Sequence, residues 1–225
     1  MTIKEFHINF GIELDKTQDF EYPSFQPEQI DYWLNKAQYR FIKQRAYPTD
    51  RNKPGFEENQ KRIDDLRPLV RQSSTINPFL TGTTYNAFLP DDYLYLVRHR
   101  CITSDDTCGE KSVGGLQVRE DQINQMLKDP FWTPTAEEPL YYINGDTLIY
   151  ETKGNYQLIS SDVTYIKIPS KITLGTEYTD PIPDSNTELL PEVHNEILDI
   201  AVSMVLENIE SQRYQSNLNE LNKTE

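Results

Sequence analysis

Cysteine is scarce in this 225-residue chain, with only Cys101 and Cys108 present, and two thiols cannot build the disulfide framework of a small secreted domain. Both are read as reduced thiols. Long apolar runs are missing too. The longest, over residues 197–206, is interrupted by Asp199 and Ser203, so nothing approaches the roughly 20 apolar residues that a membrane-spanning helix needs, and no membrane association is expected. The first 20 residues lack the basic start, apolar segment and small-residue cleavage site of a secretory signal, which points to a protein made and kept in a cytoplasm. Basic residues are the minority, 22 against 36 acidic, for a net charge of −14. That balance excludes a protein built to grip nucleic acid by its phosphates. It fits a wall along which a repelled duplex slides, and equally a plain solvated acidic surface.

The sequence is also short of catalytic constellations. It holds no Gly-x-Ser-x-Gly elbow, no Gly-x-x-x-x-Gly-Lys-Ser/Thr phosphate loop and no His-Glu-x-x-His pair. His99, Cys101 and Cys108 lie close together, but a structural zinc site normally takes four ligands and no fourth is at hand. Glu137, Glu138 and Asp146 could pair as carboxylates for glycoside chemistry, yet carboxylates beside hairpins are ordinarily surface charge. His194 could act as a base, with no nucleophile in view for it to serve. No metal, no cofactor and no catalytic residue is therefore expected.

What the chain does have is clear patterning. Phe6, Ile8, Phe10 and Ile12 alternate, which reads as an edge strand or an arm over residues 1–24. A helix follows, with Gln26 as cap, Pro27 at its first position, Gln29 at its third, and Phe25 and Ile30 placed as a hydrophobic staple. Its buried face is Ile30, Trp33, Leu34, Ala37 and Phe41, Lys43 and Arg45 complement its negative end, and Pro48 stops it. Residues 55–67 read as a second helix with Phe56, Ile63 and Leu66 inward and Glu57–Lys61 and Glu58–Arg62 paired outside. Pro68 ends or kinks it.

From Ser73 the period falls to two and the composition turns to Thr, Asn, Gly, Tyr and Phe, marking a β-rich region. Residues 93–103 form a strand, the Gly/Ser/Asp-rich residues 104–115 an exposed loop, and residues 121–128 a short helix. Residues 140–143 and 147–151 flank Asn144-Gly145-Asp146, a hairpin signal of type I′. Residues 162–168 give another strand, ended by Pro169, and residues 179–185, with Pro181 and Pro183, an extended linker. Many of the 14 tyrosines and nine phenylalanines fall here. Tyr85, Tyr93, Tyr95, Tyr141, Tyr142 and Tyr150 lie on the strands or their approaches, as residues that favour strands and also suit interfaces.

The last helix opens on Pro191, with Glu192 and Glu196 near its positive end. Val193, Ile197, Ile200, Ala201, Met204 and Val205 share one stripe, and Leu198, Val202 and Leu206 widen it beyond a single contact. The partner of the extra width is either the core of the same chain or another subunit, and periodicity does not separate the two. After Tyr214 the chain turns polar. The fold class is α+β: a helical bundle of two N-terminal helices and a long C-terminal helix, residues 25–72 and 189–214, with an inserted antiparallel β-rich domain at residues 73–188, an N-terminal arm at 1–24 and a flexible tail at 215–225.

This arrangement, closing on a helix that opens Leu-Pro-Glu-Val-His-Asn-Glu-Ile, resembles the head–tail connector or adaptor proteins of tailed bacteriophages over most of the chain. Pro191, Glu192, His194, Glu196, Ile197, Ile200, Ala201 and Val202 fit the opening of their late helix. The stretches Val163-Thr164-Tyr165-Ile166-Lys167-Ile168-Pro169 and Leu89-Pro90-Asp91-Asp92-Tyr93-Leu94 look most like the neck ring proteins of crAss-like phages. The resemblance implies a twelvefold homo-oligomeric ring below the portal, bound to the portal protein and to the next neck or tail protein, through which DNA passes without specific binding. In such proteins the bundle packs on the neighbouring subunit, which makes Val193, Ile197, Ile200, Ala201, Met204, Val205, Trp33 and Phe41 the expected interface residues and the virion the expected location. It implies no catalytic residues. A glycan- or host-binding module using Tyr141 and Tyr142 is the alternative.

Overall fold

The structure, a computed structural model, describes residues 1–15, 25–47, 60–73, 76–105, 109–129, 132–175 and 183–208. In chain order its elements are α1 (Ile3–Asp15), α2 (Pro27–Ala46), α3 (Gln60–Leu66), β1 (Val70–Gln72), β2 (Phe79–Thr81), β3 (Thr84–Phe88), β4 (Tyr93–Asp105), β5 (Gly109–Val113), β6 (Leu116–Gln117), α4 (Glu120–Met126), β7 (Leu140–Asn144), β8 (Thr147–Glu151), β9 (Gln157–Lys167) and α5 (His194–Asn208). The class is α+β, with more strands than helices. The chain forms two compact units, Met1–Leu69 together with Pro169–Glu225, and Val70–Ile168.

The expected bundle of two N-terminal helices and one long C-terminal helix is not matched. Among the described residues three α-helices precede the strands, and α5 runs for 15 residues after a 3-10 turn at Pro191–Val193. Residues 209–214, expected to continue it, lie outside the described residues, as do Pro48, Phe56, Glu57, Glu58 and the tail. The alternating run at the start is not a strand either. Ile3, Phe6, Phe10 and Leu14 are buried while Ile8 and Ile12 are exposed, so the true period runs 3, 6, 10, 14 around α1. A period of two over four residues had coincided with half of a helical stripe.

α2 forms as its sequence specifies. The Gln29 side-chain oxygen accepts the Gln26 N–H at 3.0 Å, and Leu34, Ala37 and Phe41 are buried, joined by Gln38, Ile42 and Arg45. Its side chains also hold the returning chain. Asn35 accepts the Ile172 N–H at 2.9 Å and donates to the Ile172 carbonyl at 2.7 Å, pairing with it as a neighbouring strand would. Gln38 donates to the Ser170 carbonyl at 3.2 Å, and Asp31 accepts the Leu174 N–H at 3.0 Å. Residues 170–174 thus pack with the helices. In the expectation they fell inside the β-rich insertion.

The second unit holds a four-stranded sheet ordered β1-β9-β4-β5 and a five-stranded sheet ordered β2-β3-β8-β7-β6. Pairing is antiparallel except for the parallel β6–β7 pair. A shared core of Ala87, Leu89, Cys101, Tyr141, Leu148, Tyr150, Leu158, Val163 and Tyr165 draws on strands of both sheets. β5 occupies part of the expected loop 104–115. It is an edge strand of small and charged residues with no apolar alternation to announce it. The β7–β8 hairpin forms with Leu140 opposite Glu151 and Asn144 opposite Thr147. Its turn is Gly145-Asp146, with only Gly145 at positive φ (+57°), the type II′ pattern rather than the type I′ expected for Asn144-Gly145. α4 occupies most of the expected short helix.

Candidate functional site

The residues expected at a subunit contact are mostly enclosed by their own chain. Val193, Ile197, Ile200, Ala201, Met204 and Val205 range from fully buried to 9 % exposed, Phe41 is buried, and Trp33 is half-buried. The extra width of the apolar stripe answers to two helices, α1 and α2, both of which pack on α5. Trp33 and Met204 border a cleft lined also by Lys36, Arg40, Glu207 and Asn208.

Polar groups fix the helices in that arrangement. Arg45, expected to complement the end of its helix, is instead buried. Its Nε donates to Asp65 on α3 at 3.0 Å, an Nη donates to Glu196 on α5, and its guanidinium lies 4.9 Å from the centroid of the Phe41 ring. One cation thus ties three helices, and leaving either carboxylate unpaired there is costly. His7 of α1 meets Asp31 of α2 at 2.8 Å. His194, the candidate base, is enclosed. Its Nε2 meets the Leu189 carbonyl at 3.0 Å, its Nδ1 meets the Met1 amine at 2.6 Å, and Phe6 packs on it with ring centroids 5.2 Å apart. Burial pushes its pKa down. The contacts tie α1 to the start of α5 and bring it no nucleophile.

The surface of α2 differs from the rest of the chain. From Tyr32 to Tyr47 every exposed residue is Tyr, Lys or Arg: Tyr32, Lys36, Tyr39, Arg40, Lys43 and Tyr47. The Lys36 ammonium lies 4.9 Å from the centroid of the Trp33 ring, a cation–π contact that holds both at the mouth of the cleft. In the β-rich unit three exposed apolar groups meet at the β2 edge, where Phe79 and Phe88 lie with ring centroids 5.4 Å apart beside exposed Leu80.

The chemistry-bearing residues of the β-rich unit are spent on packing. His99 is buried, with Nδ1 accepting the Gly115 N–H at 3.2 Å and Nε2 meeting the Tyr150 hydroxyl at 2.7 Å, which in turn meets Ser161 Oγ at 2.6 Å. Burial lowers the His99 pKa to about 4 and raises that of Cys101 to about 12. Cys108 lies outside the described residues, and among these no His, Cys, Asp or Glu cluster could hold a metal ion. Glu137 pairs with Lys111 at 2.6 Å on the surface, and that contact lowers its pKa. Tyr141 is buried against His99, ring centroids 4.2 Å apart, and Tyr142 is half-buried, so the pair does not form an exposed platform for a sugar. Sequence reasoning missed the Arg45–Asp65–Glu196 triad, the Asn35 grip and the His99 relay. All rest on partners distant in sequence.

A mixed α+β chain whose buried polar groups tie elements together, and whose described surface carries aromatic and charged stripes in place of a catalytic cluster, has the makings of a structural assembly protein. Comparison gives the particular family: the chain belongs to the family described as phage tail ring protein 3/4, whose model matches residues 1–219. It is a bacteriophage virion structural protein of the ring type, a role consistent with a non-enzyme. No curated protein matches it. No helix among the described residues is long and apolar enough to cross a membrane.

Proposed function

We propose that the chain forms a homo-oligomeric ring of twelve copies below the portal, joining head to tail and letting genomic DNA pass without specific binding. The portal protein lies on one side and the next neck or tail protein on the other, with assembly in the host cytoplasm. The observation that carries this reading is the match of nearly the whole chain to a ring family. The acidic surplus of 36 over 22 fits it, since a negative wall repels the duplex and leaves it free to move. In this reading the helical unit makes the ring contacts. Trp33 and Met204 border the contact, while Phe41, Val193, Ile197, Ile200, Ala201 and Val205 hold α5 in place behind it.

Cross-linking mass spectrometry on intact particles tests the proposal. Links from this chain to portal peptides, together with links between copies through the helical unit, are expected. Presence in particles with links to tail proteins alone would remove the head–tail role.

A further inference from the structure

The two helices at the centre of the first unit have opposite surfaces. On α2, from Tyr32 to Tyr47, the exposed residues are only Tyr, Lys and Arg. On α5 and the turn before it, from Glu192 to Asn208, they are only Glu, Asp and Asn: Glu192, Asn195, Asp199, Glu207 and Asn208. Over residues 172–212 the sequence contains no Lys or Arg at all. The outer face of α2 therefore presents cations and phenols and the start of α5 carboxylates and amides, while residues 200–206 are all buried. Lys36, Arg40 and Lys43 form no ion pair among the described residues.

We infer that the outer face of α2 in one copy docks on the acidic start of α5, from Glu192 to Asp199, in the next copy of the same chain. The inference rests on the ring reading and names the contact that closes it. A cyclic ring needs a heterologous contact, in which two different patches of the same molecule meet, and these two patches differ in charge sign. Their chemistry also suits such an interface. Tyrosine and arginine bury area with polar tips, and opposed charges set register and suppress wrong pairings. Lys36 and Lys43 stand seven residues, about 10 Å, apart along α2, the same interval that separates Glu192 from Asp199. Duplex DNA is the less suitable occupant, because three cations on a chain of net charge −14 give little counterion release.

A zero-length carbodiimide cross-linker applied to assembled rings made from equal parts of 15N-labelled and unlabelled chain reads the contact directly. Mixed-isotope links joining Lys36 or Lys43 to Glu192 or Asp199 are expected. Assembled rings whose mixed-isotope links all fall elsewhere would overturn the contact and leave the ring reading standing. A chain that stays at monomer mass both alone and in the particle would sink the ring reading itself. Charge reversal gives the second arm. The variant Lys36→Glu/Arg40→Glu/Lys43→Glu should lose at least tenfold in ring population by native mass spectrometry, and so should Glu192→Lys/Asp199→Lys. Combining the two sets in one chain should restore rings. Rings that persist in the first variant, with duplex binding lost in its place, would assign the stripe to DNA.

Discussion

His99 makes the stability of the β-rich unit fall with pH in a window that can be worked out from its contacts. Its Nδ1 accepts the Gly115 N–H and its Nε2 faces the Tyr150 hydroxyl, which is bonded onward to Ser161. A proton added at Nδ1 would point a donor at a donor, so the geometry and the burial act in the same direction and hold the folded pKa at about 4, against 6.5 unperturbed. Above pH 6.5 the imidazole is neutral in both states and the contribution is complete. As pH falls below 6.5 the unfolded chain takes up the proton and the folded one does not, so stability drops by about 1.4 kcal/mol per pH unit until the folded site titrates near pH 4. The total is about 3 kcal/mol. Carboxylates titrate in part of the same range, so the measurement is a difference. Urea unfolding of the wild type and of His99→Asn, at pH 7, 6, 5 and 4, should give free energies whose gap narrows by about that amount toward low pH. The His99 ring protons, followed by NMR, should titrate near pH 4. A midpoint near 6.5, or parallel pH profiles for the two proteins, would refute the reasoning.

Three further outcomes follow from the packing. Gly115→Ala places a Cβ 2.7 Å from Tyr141 Cδ1 and 2.9 Å from His99 Cε1; both rings are locked, so an overpacking cost of about 1–3 kcal/mol is expected in urea unfolding, and a change under about 0.5 kcal/mol would show that the rings yield. Arg45→Met leaves Asp65 and Glu196 without their shared cation and should cost about 3 kcal/mol at neutral pH. Thermal melts at pH 7 check the size, and a loss under about 0.5 kcal/mol would show that the cation does not tie the helices. Cys101, buried and with its thiol pushed up to about 12, should resist a thiol reagent in folded Cys108→Ser protein and react at once in denaturant.

Where structure was written locally, the sequence was readable. Gln26, Pro27 and Gln29 announced the start of α2, and Asn144-Gly145-Asp146 located the β7–β8 hairpin even though Gly145 took the first central position of the turn in place of the second. α1 was misread because Phe6, Ile8, Phe10 and Ile12 satisfy a period of two over a window too short to expose the helical one. β5 gave no signal because only Val113 of this edge strand packs against the core, and one apolar residue makes no alternation. The broad stripe on α5 correctly marked a helix buried nearly all round, but periodicity reports that a face is covered without naming the cover. Here α1 and α2 supply it. Arg45 shows the same limit. Its place near a helix end suggested a dipole role, and the partners that define it, Asp65 and Glu196, lie 20 and 151 residues away.

The grip of Asn35 on Ile172, across 137 residues of chain, has a consequence in time. On the ribosome, α1, α2 and α3 emerge first, then about a hundred residues of β-rich unit, and only afterwards the segment that Asn35 holds and the helix that fills the core. At about 5–20 residues per second the early helices wait roughly 7–27 s with Phe6, Phe10, Leu34 and Phe41 uncovered, while Val70–Ile168 already has every strand it needs. Vectorial synthesis therefore completes the inserted unit before the unit that flanks it. Lesions in α5 should thus show first as poor yield of nascent chains whose β-rich portion is already native.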